Sequence, residues 1–213
     1  MRLSDIIGES WAEEMKDYLN SKDFHDLGMF ISSLNNRVIP AKKDIFTSFK
    51  ELSYNDVKVV ILGQRPYKTL NKALGRAFGI NMDTTYGKTS QSLSDIVKQI
   101  EKEEGLYLDP DYSLKGWSDQ GVLLINQSMT CTINDDHYTQ WRTFIETVIK
   151  TLSKKSDIIF LFIGDDNDLH PLIGVGNYRI HANDFSKDCL YKVNAALYML
   201  EQKEIKWNIP NYS

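Results

Sequence analysis

Residues 57–68 read VKVVILGQRPYK. From Val57 to Leu62 the run is β-branched or leucine except for one lysine, and it stops on Gly63. A near-continuous apolar run closed by glycine is the pattern of a strand covered on both faces, as in a parallel sheet. Working outward, the same pattern returns twice: GVLLIN at Gly121–Asn126 and DIIFLFIG at Asp157–Gly164. A shorter fourth strand is expected to begin at Tyr178–His181.

Helical stripes lie between these runs. Leu93, Ile96, Val97 and Ile100 recur at three- and four-residue spacing. So do Trp141, Phe144, Ile145, Val148, Ile149 and Leu152, and then Leu190, Val193, Leu197 and Leu200. Such spacing puts the apolar side chains on one helix face. The first fifty residues also read as helical, in WAEEMKDYL, FHDLGMFISSL and DIFTSFKEL. Strands alternating with amphipathic helices predict an α/β fold of three layers, a central parallel four-stranded sheet flanked by helices. The 213 residues suit one domain over 1–213. In such a sheet ligands bind beyond the carboxyl ends of the strands. The places to look are therefore after Gly63, at Asn126, after Gly164 and around His181.

Composition narrows the function classes. Twenty-five basic against 29 acidic residues give a formal net charge of −4, unlike a strongly basic nucleic-acid binder, although a local basic patch is compatible with it. Two cysteines, Cys131 and Cys189, are too few for a disulfide framework, and a reducing, cytoplasmic or nucleoid-associated setting is expected. The charged N-terminal stretch MRLSDIIGESWAEEMKDYL does not read as a signal peptide. No run approaches the ~18 apolar residues of a membrane span. No cysteine–histidine cluster has metal-ligand spacing, and GQRPYK is not a nucleotide-binding glycine loop, so neither metal nor cofactor is expected.

The stretch VKVVILGQRPYK resembles the water-activating motif of family-one uracil-DNA glycosylases, where the residues after the strand read GQDPYH. The likeness continues through Ala77-Phe78, through GVLLINQSMT and HYTQWRTFIETVI, and through IPAKKDIFTSFK and IKWNIP, so it covers essentially the whole chain. The family's HPSPLS motif is placed on HANDFS, residues 181–186, where His181 and Ser186 match. The resemblance implies binding of DNA that is single-stranded or carries uracil. It also implies a base taken out of the stack into a fitted pocket. Gln64 is implied at the substrate. Asn126, with a donor and an acceptor on one amide, would read the base edge. Phe78 would stack on its face. Tyr67 would exclude a 5-methyl group. His181 would donate to the base oxygen as negative charge builds there. Lys68, Ser92 and Phe185 would meet DNA, Phe185 as an intercalating wedge.

The departures are as informative. Arg65 stands where the family keeps its water-activating aspartate. A guanidinium is not deprotonated in proteins and cannot act as a general base. Two unit charges ~4 Å apart interact by about 4 kcal/mol at an effective dielectric of 20. Exchanging attraction for repulsion toward a sugar cation would cost up to twice that, an upper bound of roughly 5–6 orders of magnitude in rate. Asp83, Asp95 and Asp184 are the carboxylates considered as substitutes. Lys68 replaces the motif's histidine, Gly87–Gln91 has no proline where the family's loop is proline-rich, and Asp165, Asp166 and Asp184 bring negative charge to loops implied to face DNA. Three functions follow: a homologue with lost or impaired excision that binds DNA or a flipped uracil, an active N-glycosylase of altered chemistry, and a non-catalytic module that docks a repair or replication protein.

Overall fold

The computed structural model describes residues 2–34, 37–81, 91–104, 111–164, 168–185 and 188–208; within 91–104 the side chains of 91, 92, 99 and 102–104 are outside that description. Four parallel strands form the centre: β1 (Val59–Gly63), β2 (Val122–Asn126), β3 (Ile159–Ile163) and β4 (Tyr178–Ala182), in the order β2-β1-β3-β4. β1, β2 and β3 are buried along their whole length, as their unbroken apolar sequences predict. β4, at the edge, alternates between partly exposed and exposed positions before ending on buried Ala182.

The pleat divides the core in two. Val60, Leu62, Leu123, Ile125, Phe160 and Phe162 face one layer, built from α1 (Leu3–Ile7), α2 (Glu9–Glu14), α3 (Lys16–Leu19), α4 (Lys22–Ser33), α5 (Thr47–Glu51) and α8 (Tyr138–Leu152). Val59, Ile61, Val122, Leu124, Ile159 and Leu161 face the other, built from α6 (Gln91–Glu104), α7 (Lys115–Ser118) and α9 (Cys189–Met199), with Ile205 and Trp207. The α8 stripe from Trp141 to Leu152 is buried as its spacing predicts. Each such large apolar side chain is worth about 1.5–3 kcal/mol relative to exposure. The N-terminal region is helical but broken: Gly8 and Met15 separate α1, α2 and α3. Trp11 ties this layer down by donating its indole N–H to the Leu52 carbonyl at 2.8 Å. No helix among the described residues is long and apolar enough to cross a membrane.

The register aligns the strand ends. Gly63 is partnered with Asn126, Phe162 with His181, and Ile163 with Ala182. This places the carboxyl ends of β1, β2 and β3 at one level, with the loops that follow them around a common opening.

Candidate functional site

At that opening lies a cavity of about 310 Å³, lined by Gln64, Arg65, Pro66, Tyr67, Phe78, Ile163, Gly164 and Asn183. Its floor is set by Gly63. A Cβ built there would lie 2.6 Å from Asn126 Oδ1 and 2.8 Å from Phe78 Cζ. Asn126 and the Phe78 ring therefore meet over a position that only hydrogen leaves open. Asn126 is 8% exposed, at the last residue of β2.

The loop carrying Phe78 is fixed from several sides. Ala77 N–H donates to the Leu124 carbonyl at 3.1 Å. Ser48 Oγ donates to Leu124 O at 2.6 Å and lies 3.0 Å from Gly75 O. Tyr67 donates its hydroxyl to the Phe78 carbonyl at 3.1 Å. Phe78 itself has φ 66°, in the left-handed region that costs a side-chain-bearing residue about 1–3 kcal/mol and persists only when the surroundings hold it. The Gln64 side chain packs on Gly164, where a Cβ would meet its Nε2 at 2.4 Å. Backbone bonds from Gln127 N–H to Gly63 O and from Ser128 N–H to Gln64 O, both 2.9 Å, join the β1 and β2 exits.

Among the described residues, Arg65 is the one charged group in the lining. Its Nε lies 3.4 Å from Asp136 Oδ2, and Lys68 Nζ lies 3.1 Å from Asp136 Oδ1. One carboxylate thus sits between two cations on the rim. Sequence reasoning passed over Asp136, because an acidic residue in a loop before a helix reads as solvated. The signal was the pair of unexpected cations in GQRPYK, which call for a nearby counter-charge. Behind Asp136 the loop is anchored by buried polar contacts. Trp141 donates to Thr130 Oγ1 at 2.7 Å, and Thr130 Oγ1 lies 2.8 Å from His137 Nδ1. His137 N–H donates to Ser128 Oγ at 3.1 Å. Burial pushes the His137 imidazole below its ordinary value, against a smaller opposing effect of Asp135 and Asp136. Below Pro66, burial holds the Cys131 thiol up at about 11.

Two sequence expectations are corrected. His181 lies within β4 and shares its face with its partner Phe162, opposite the face of Gly63 and Asn126. Its Nε2 meets the Gly164 carbonyl at 2.5 Å, so that nitrogen carries the proton, and its ring is exposed. It does not join the cavity lining. Alternation along β4 turns residue 181 to the face of Phe162. Asn183, the first residue after the strand, lines the cavity instead and was missed. Phe185 is also not a wedge facing DNA. It is 1% exposed, with its ring edge-on to Phe78 at 5.0 Å between centroids, and it backs the cavity wall.

Gln64, Tyr67 and Phe78 line one cavity, Asn126 lies against Phe78 over Gly63, and Lys68 reaches the rim through Asp136. Ser92 is the second residue of α6, but its side chain lies outside the described residues, as do Asp83, Asp165, Asp166, Ser186 and most of the Gly87–Gln91 loop. Asp95 and Asp184 are described, and neither lines the cavity. Burial, with Asp184 contributing, pushes the Cys189 thiol up to about 12. No group of three or more metal-ligating side chains occurs among the described residues.

No protein-family model matches the chain. The uracil-DNA glycosylase of Fusobacterium nucleatum is 33% identical over 96% of this chain and 97% of its own length. That of Clostridium beijerinckii is 34% identical over 98% of this chain and 100% of its own. Among solved structures, mimivirus uracil-DNA glycosylase aligns with a TM-score of 0.80 at 22% identity, covering 94% of this chain and 86% of that one. A variant of the mimivirus protein in complex with UGI aligns at 0.83 and 23% identity, covering 98% and 92%. The structural likeness carries the fold, and the sequence likeness, sustained along both chains, carries the relationship: this chain belongs to the uracil-DNA glycosylase family.

Proposed function

We propose that this chain keeps a pocket for an extrahelical uracil and binds uracil-bearing or single-stranded DNA, with excision by the family's route lost or strongly impaired. The observation that carries this reading is the cavity lining: among the described residues its charged group is the Arg65 guanidinium, at the position of the family's aspartate. Glycosidic cleavage puts positive charge on the sugar and needs a group to orient water, and a guanidinium opposes the first and cannot do the second by taking a proton. Asn126, Phe78 and Tyr67 favour base recognition, because an amide and two rings converge where a base edge and face would lie. His181, turned to Gly164, removes the expected donor to the departing base.

The test is to incubate the protein with single-stranded and duplex oligonucleotides carrying uracil and to measure abasic-site formation and binding together. The expected result is binding above a uracil-free control with little or no excision. Rapid excision would sink the impaired reading. Absence of uracil-dependent binding, even at low salt, would leave the second reading, a protein-docking module. That alternative is favoured by one surface: Tyr191, Tyr198 and Met199 on α9 are exposed beside Lys203 and Lys206, and tyrosine and methionine are enriched at protein interfaces.

A further inference from the structure

The rim carries more positive charge than the pocket reading uses. Arg65 and Lys68 converge on Asp136 at 3.4 and 3.1 Å, so two cations share one carboxylate. The three side chains are 41%, 29% and 28% exposed respectively, which leaves them open to exchange with solvent and ions. Arg65 touches Asp136 through Nε, and its terminal guanidinium nitrogens make no hydrogen bond among the described residues. Yet Arg65 also lines the cavity that holds Phe78 and Asn183. A planar fork with its outer edge open, standing on the wall of a base-sized cavity, matches phosphate oxygens. Lys72 adds positive charge behind the same wall, its ammonium 5.5 Å from the Tyr67 ring centroid.

We propose that Arg65 and Lys68 form a phosphomonoester subsite, so that the site takes a pyrimidine nucleotide together with its phosphate, and that Asp136 occupies the phosphate's place until it arrives. The inference rests on the base-pocket reading above and adds the phosphate to it. Charge selects the monoester. Asp136 contributes one negative charge against two positive ones. A phosphodiester would replace one negative charge by another, whereas a phosphomonoester carries about −1.5 to −2 at neutral pH and balances both cations. The nucleotide can be free or can be the phosphorylated end of a strand, since the chemistry at the rim is the same.

The experiment measures binding of deoxyuridine, deoxyuridine 5′-monophosphate, and a short uracil-ended oligonucleotide with and without a 5′-phosphate, using the full chain. The monophosphate is expected to bind about tenfold or more tighter than the nucleoside, the worth of one charge-assisted hydrogen bond. The two oligonucleotides separate a strand end from a free nucleotide as the source. In Arg65→Gln and Lys68→Gln that ratio should fall toward one, and Arg65→Lys should keep part of it. Asp136→Asn should raise the ratio, because the competing carboxylate is gone, whereas a merely structural Asp136 would lower it. Thermal melts confirm that each variant is folded. Equal binding of nucleoside and monophosphate, with thymidine bound more weakly than deoxyuridine in the same titration, overturns the phosphate subsite and leaves the base pocket standing. No binding of any uracil ligand overturns both.

Discussion

The Tyr67 hydroxyl donates to the backbone carbonyl of Phe78 at 3.1 Å, and so one lining residue of the cavity holds another that is strained. Tyr67→Phe keeps the ring and removes this bond. It should cost about 1 kcal/mol and lower the melting temperature by about 2–4 °C. Affinity for uracil oligonucleotides should fall with it, because Phe78 loses a restraint. A melt and a binding titration on the same preparation check both.

Gly63→Ala tests the floor directly. The new methyl would stand 2.6 Å from Asn126 Oδ1 and 2.8 Å from Phe78 Cζ, so one of the two must move. Overpacking of this kind costs about 1–3 kcal/mol. The expected outcome is loss of uracil preference at a stability reduced by that amount, read from urea unfolding and competitive binding.

Arg65→Asp restores a carboxylate to the cavity wall, but it also removes a partner of Asp136 and leaves two carboxylates around Lys68. Excision should therefore rise above the parent, and rise further in Arg65→Asp combined with Asp136→Asn. Abasic-site formation under single-turnover conditions measures this. No rise in either variant would place the block elsewhere, with the orientation of His181 the leading cause.

Phe185→Ala separates a core role from a DNA-wedging one. A buried phenylalanine truncated to alanine costs about 3–5 kcal/mol. A side chain exposed for intercalation would cost little. Chemical denaturation in the absence of DNA gives the answer.

His137 should make stability fall in acid. Its folded value is pushed below the ordinary 6.5, chiefly by burial. The unfolded chain then binds the proton more readily, so the contribution is fully present above about 6.5 and is lost as pH falls below it toward the folded value. Urea midpoints from pH 7.5 to 5 should decline, and His137→Gln should flatten that decline.

The sheet was legible because unbroken apolar runs admit few other placements: Val59–Gly63, Val122–Asn126 and Ile159–Ile163 fall inside the expected stretches, trimmed at the ends. Asn126 and Phe78 were placed from long matched segments, Asn126 at the end of β2 and Phe78 in the loop beyond β1. His181 was placed on a motif in which only it and Ser186 match, and the face of the sheet that its ring takes depends on the register of β4 with β3. Phe185 inherited that placement, and its burial against Phe78 depends on packing between segments more than a hundred residues apart. Asp136 was passed over for a related reason: the cations of GQRPYK call for a counter-charge, but a salt bridge across a loop has no local spacing rule to say where it lies.

The pleat of the sheet has one further consequence. Within the strands the pleat sorts the ends: Gly63, Asn126 and Ile163 share one face with Ala182, and His181 stands on the other. At residue 181 the backbone directs the ring to the Phe162 face, where its Nε2 meets the Gly164 carbonyl. Asn183, already in the wall, is the nearest address from which one could reach a bound base, so a route back to catalysis runs through the turn and not through the strand.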